Sequence, residues 1–148
     1  MIELLTVIGI LGILSIFVMG NFTRSLLKAR DSRRKQDLDQ VRSALDIYYA
    51  KHESYPLNSG TYGLPWGSPL TDGTRTFMEK LPNDPQDDKT YFYASDGFYY
   101  QLFSCLENTQ DLEYRTLGAT PEGTIPDCDA GCENVCHYGV SSSNSQIQ

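Results

Sequence analysis

From Phe22 to His52 the chain has no proline and no glycine. A helix can therefore run through those residues without a break. Basic residues are scarce beyond that point: residues 53–148 hold four, against 14 acidic ones. That imbalance argues against general nucleic-acid binding by the later part. Histidine occurs only at His52 and His137, and neither has a nucleophile or metal constellation around it. A Gly-rich phosphate loop is also missing. Nothing here recommends an enzyme, and no cofactor is expected. There is no internal repeat, so 148 residues read as one small domain plus extras.

What the chain does have is unevenly placed. Residues 1–52 carry eight basic and five acidic side chains, net +3, and the remainder is net −10. No residue from Leu4 to Met19 is charged, and Phe22 extends the apolar run. Ile2 to Phe22 meets the ~20 residues needed to cross a bilayer, with Glu3 as the one charge. A secretory signal peptide is disfavoured because the start is Met-Ile-Glu rather than basic. A buried core helix is disfavoured because the rest of so short a chain cannot surround it.

Beyond the apolar run, Leu38, Val41, Leu45, Tyr48 and His52 fall at steps of three and four, which is one helical stripe. Pro56 and Gly60 end the pattern, with Glu53-Ser54-Tyr55-Pro56 as the exit turn. Residues 57–89 contain four of the seven prolines and read as loop, with room for one short helix near Thr74–Leu81. Thr90–Ala94 and Phe98–Leu106 read as strands joined at Asp96-Gly97, a two-residue hairpin signal. That register pairs Tyr93 with Tyr100 and Tyr91 with Leu102. It puts Tyr91, Tyr93, Phe98, Tyr100, Leu102 and Leu106 on one face, toward the helix stripe. Phe103 and Cys105 point the other way.

The fold class is therefore α+β. A long N-terminal helix, apolar in its first half and amphipathic in its second, packs on a small antiparallel sheet. Residues 1–23 form the membrane or filament-core segment and 24–56 its amphipathic continuation. Residues 57–140 form the sheet domain with a cysteine-rich loop, and 141–148 a disordered tail.

Two stretches carry a resemblance: "IELLTVIGILGILS" with "ARDSRRKQDLDQVRSALDIYYAKHESYP", and the later "LPNDPQDDKTYFYASDG". They resemble bacterial type IV pilin-like proteins, and among these are most similar to the major pseudopilins of type II secretion systems. The resemblance spans residues 1–56 and, less closely, 81–107; the C-terminal 40 residues show none. It implies a pilin-like fold. It also implies an inner-membrane anchor before assembly, an extracytoplasmic globular domain, and a homo-oligomeric helical filament in the periplasm or at the cell surface. The partners implied are membrane lipids, minor pseudopilins and an inner-membrane assembly platform, and the role is export of folded proteins. A type IV pilus for adhesion, motility or DNA uptake stands as the alternative. A solitary membrane-anchored surface protein is the alternative of another class.

In that family a glutamate five residues into the processed chain neutralises a neighbouring subunit's terminal amine. Glu3 matches it. A carboxylate in hydrocarbon is costly, and a charge partner offsets part of the cost, so Glu3 would set register in assembly. The family's basic leader ends in Gly and is removed by a peptidase that also methylates the new N-terminus. Glu3 lies two positions early for that, which implies a start upstream of Met1 or a trimmed one. Thr6, Gly9, Gly12 and Ser15 recur every third residue and suit close helix packing.

Half of the 12 basic residues lie between Arg24 and Lys35. By the positive-inside rule they would hold the later part in the cytoplasm, whereas the resemblance places it outside. Arg30, Arg33, Arg34 and Lys35 are read as contacts to lipid headgroups or to acids of neighbouring subunits, with DNA disfavoured.

Cys105, Cys128, Cys132 and Cys136 remain. The C-x3-C-x3-C spacing of the last three is unusual for zinc, even with His137 nearby. Outside the cell disulfides are the default, and four cysteines allow three pairings. Cys105 projects from the strand face opposite the helix, so the tail is expected to cross that face and be pinned there. The resemblance also raises calcium in a C-terminal loop. Asp127, Asp129 and Glu133 are weak candidates and Asp84, Asp87 and Asp88 a second cluster, but neither has EF-hand spacing.

Overall fold

The computed structural model describes residues 2–115, 117, 128, 132 and 135–142, without the side chains of 16–21. Helix α1 spans Ile2–His52 without interruption, 51 residues. At ~1.5 Å per residue it is about 75 Å long. It ends where the unbroken stretch ends. Glu53 takes a left-handed conformation, φ 56°, and its N–H donates to the carbonyl of Tyr49 at 2.8 Å. A residue of that kind closes a helix C-terminus.

Two small antiparallel sheets follow. Strands β1 (Leu70–Thr71) and β2 (Thr76–Met78) form a hairpin. Strands β3 (Phe92–Ser95), β4 (Tyr100–Ser104) and β5 (Tyr138–Ser141) form the main sheet in that order. The short helix expected near Thr74–Leu81 is replaced by the β1–β2 hairpin. Asp72-Gly73 is the reason: Asp72 Oδ1 accepts the N–H groups of Thr74 and Arg75 at 2.8 and 2.7 Å, and Gly73 sits at φ 86°. An acidic side chain that binds the backbone just beyond it favours a turn over a helix.

The helix stripe packs as its spacing predicts. Leu38, Val41, Ala44 and Leu45 are buried against Tyr91, Tyr93, Tyr100, Leu102 and Leu106, with Leu64, Leu70 and Leu81 filling the edges. Burying each such aliphatic side chain stabilises by ~1.5–3 kcal/mol. At the end of the stripe Tyr48 stacks on His52, ring centroids 4.4 Å apart, and meets Phe77 of β2 at 4.9 Å. Two tyrosine hydroxyls stitch the sheet to the helix and its exit. Tyr91 Oη donates to Asp37 Oδ2 at 2.8 Å, and Tyr93 Oη to the carbonyl of Pro56 at 2.7 Å.

The hairpin register differs from expectation by two residues. Tyr93 faces Leu102 and Ser95 faces Tyr100, so the loop is residues 96–99. Asp96 Oδ1 accepts the N–H groups of Phe98 and Tyr99, both at 2.8 Å, which lengthens the loop. A shift of two keeps every side chain on its face. The exception is Phe98, which the longer loop carries out to 72% exposure. Strand β5 was not expected, and it takes in Ser141. Ser142, buried, donates its N–H to Tyr100 O at 3.1 Å. The tail expected to be disordered from residue 141 is therefore structured over these two residues; 143–148 lie outside the described ones.

Candidate functional site

Along Ile2–Ser15 every residue of α1 is exposed, including Leu4, Leu5, Ile8, Leu11 and Leu14. Among the described residues no helix is long and apolar enough to cross a membrane. Within the apolar run, side chains are described for residues 2–15 and for Phe22. Glu3 lies in the first turn of α1. Thr6 Oγ1 donates to Glu3 O and Ser15 Oγ to Leu11 O, both at 2.8 Å, so both hydroxyls are satisfied within the helix. Gly9 and Gly12 have open space where a Cβ would stand. Among the described residues, nothing of the chain packs against Gly9 or Gly12.

The basic cluster departs from its expected role. Arg34 is fully buried. Its Nε and Nη2 donate to Asp84 Oδ2 and Oδ1 at 2.7 and 2.8 Å, and Nη1 to Asp31 Oδ1 at 2.9 Å. Nη1 also lies 2.7 Å from Glu107 Oε1. Arg30 grips the same Glu107 through two contacts, 3.0 and 2.5 Å, and Lys89 stands 3.5 Å away. Three cations (Arg30, Arg34, Lys89) therefore meet three carboxylates (Asp31, Asp84, Glu107). The Asp31 carboxylate further accepts the backbone N–H groups of Glu107 and Asn108, the shortest at 2.8 Å. A buried charge needs this degree of pairing, because leaving water costs each ion several kcal/mol.

The electrostatics follow. Burial alone would lower the pKa of Arg34, but its bonds to Asp84 and Glu107 outweigh that and raise it. For Glu107 burial raises the pKa, and the hydrogen bonds from Arg30 and Arg34 more than reverse this, bringing it down to about 2. Lys35 reaches Asp111 and Glu113 at 2.7 and 2.6 Å. Arg34 is thus withdrawn from headgroup or subunit contacts, and Arg30 and Lys35 are engaged within the chain. Arg33 alone of the four expected residues is largely free, 66% exposed and 3.9 Å from Asp37.

The sequence carried a signal for this cluster. The spacing of three and four that runs through Leu38 and Val41 continues backward to Arg34, Asp31 and the half-buried Leu27. A stripe read only from apolar residues stops at Leu38 and misses its charged end. Asp84 belongs to this cluster, which removes it from the acidic group considered for calcium. Asp127, Asp129 and Glu133 lie outside the described residues.

The cysteines form two disulfides, Cys105–Cys132 and Cys128–Cys136. With Phe92, Ala94, Phe103 and Leu117 they make a second buried cluster on the sheet face away from α1. The described tail residues Leu117, Cys128, Cys132 and Cys136 lie on that face, and Cys105 ties Cys132 to it.

No family model matches the chain, and no curated protein or solved structure matches it either. The architecture itself is α+β, a long helix on small antiparallel sheets.

Proposed function

We propose that this chain is the structural subunit of a helical extracytoplasmic filament, and that the filament is the pseudopilus of a type II secretion system. One observation carries the reading. A single helix packs its second half on a sheet domain and leaves the described residues Ile2–Ser15, apolar but for Glu3, Thr6 and Ser15, exposed. Exposed apolar surface of that extent marks an association surface. Parallel copies of the helix would cover it, with Gly9 and Gly12 allowing close approach and Glu3 meeting a neighbour's terminal ammonium. Before assembly a membrane would cover the same surface. The two disulfides fit an oxidising compartment. The pseudopilus, rather than an adhesive or DNA-uptake pilus, rests on the likeness of residues 1–56 to major pseudopilins.

The test is to express the full chain with a type II secretion apparatus and look for filaments sheared from the envelope. Filaments containing the chain, and secretion that depends on it, are expected. A chain that stays as a membrane-bound monomer would instead identify a solitary anchored protein.

A further inference from the structure

The two disulfides are not equivalent. Cys128 and Cys136 are sealed in the far-face cluster. Cys105 and Cys132, buried in the same cluster, also line a pocket of about 340 Å³, together with Lys89, Glu107, Tyr114 and His137. His137 Nδ1 stands 3.1 Å from Cys132 Sγ. Its ring is held by Tyr114, stacked on it with centroids 4.4 Å apart and planes 13° from parallel. The two sulfurs and a nitrogen of His137 all lie within 4.8 Å of one another.

We infer that Cys105, Cys132 and His137 form a binding site for a thiophilic divalent cation of the Zn²⁺ type, opened when the Cys105–Cys132 bridge is reduced. A dithiol donor gives up two electrons and two protons and closes its own disulfide. The bridge breaks and each sulfur takes a proton. Binding the cation releases both protons, since thiolate is the ligand. Tetrahedral zinc holds sulfur at ~2.3 Å and nitrogen at ~2.0–2.1 Å, so its ligand atoms sit about 3.5–3.8 Å apart. Unbonded sulfurs relax to roughly that contact distance, and the imidazole is already beside them. Two thiolates neutralise the ion, and the pocket leaves its fourth position to water. Among the described residues no other group of histidine, cysteine and acidic side chains is gathered closely enough to hold an ion. The pairing of β5 with β4, extended by the His137 N–H donating to Ser104 O at 3.0 Å, keeps His137 next to Cys105 once the bridge is open.

The experiment uses the full chain in detergent, titrated with Co²⁺ before and after reduction by a phosphine, which takes up an oxygen atom from water as it reduces. After reduction one Co²⁺ per chain is expected, with a thiolate-to-metal absorption band that Zn²⁺ abolishes. The oxidised chain should show none. Cys105→Ser should remove the band and Cys136→Ser should keep it. His137→Ala should weaken Co²⁺ binding by at least about tenfold, the loss that even an outer-shell change produces. A band that survives Cys105→Ser would place the metal on the tail cysteines and overturn the site. So would the absence of any band, or loss of the near-ultraviolet tyrosine signal on reduction, which would mean that the ligand geometry does not outlast the bridge.

Discussion

The guanidinium of Arg34 lies edge-on to the carboxylate of Asp84, two parallel hydrogen bonds of 2.7 and 2.8 Å joining the helix to the loop that leads into β3. Both side chains are fully buried. Removing one partner of such a pair leaves an uncompensated charge in the interior. Arg34→Ala should therefore cost ~3–5 kcal/mol, seen as a lower urea midpoint. Arg33→Ala, on the exposed side, should stay within ~0.5 kcal/mol. Equal effects would contradict the buried cluster.

A fragment beginning near Ser25 should be soluble, folded and monomeric. It lacks the unpartnered apolar surface yet keeps Arg30, Arg34 and the Leu38–Tyr48 stripe. Sedimentation and circular dichroism check this. An insoluble or unfolded fragment would show that the apolar segment belongs to the domain's own core.

Acid should weaken that fragment in a defined window. The folded-state pKa of Glu107 is about 2, below the ordinary 4.5. The unfolded chain then binds a proton more readily than the folded one, so this contribution is complete above about 4.5 and lost as pH falls toward about 2. Urea midpoints measured across that range should fall, and Glu107→Gln should flatten the fall. An unchanged slope in Glu107→Gln would assign the acid sensitivity elsewhere.

Non-reducing peptide mapping of protein from the cell envelope should recover Cys105 with Cys132 and Cys128 with Cys136. The bridges span sequence separations of 27 and 8. Loop-closure entropy makes the longer one worth about 1 kcal/mol more, within the usual ~2–4 kcal/mol. Replacing Cys105 and Cys132 together by serine should therefore lower stability more than replacing Cys128 and Cys136. The reverse order would mean that packing on the far face, and not chain entropy, dominates.

Glu3→Gln should impair filament assembly while leaving membrane association intact. The variant keeps the size of the side chain and removes its charge. Normal filaments would take away the register role proposed for this carboxylate.

Much of this architecture is readable from local pattern. The helix shows because nothing between Phe22 and His52 interrupts it, and the packed half shows because Leu38, Val41 and Leu45 recur on one stripe. The sidedness of Tyr91, Tyr93, Tyr100 and Leu102 survived a wrong register because the error was an even number of residues. Cys105 pointed away from the helix by simple alternation, and that placed the tail. What escaped depends on contacts distant in sequence. Strand β5 pairs with β4 across a separation that no turn motif announces. Arg34 looks like a surface cation until Asp84 and Glu107, 50 and 73 residues further on, are brought to it.

Strung along α1 between the free apolar half and the packed half, Asp31 and Arg34 also determine how a mechanical load passes through the molecule. A pull along the helix axis reaches the domain at these two residues and at Arg30, which grips Glu107. There the backbone of Glu107 and Asn108 and the carboxylate of Asp84 all hold the helix within one turn. Those bonds tie one turn of the helix to two separate stretches of chain, the Asp84 loop and Glu107–Asn108. Tension along a row of such helices would therefore have to break several charge-assisted hydrogen bonds before the domain parted from its helix.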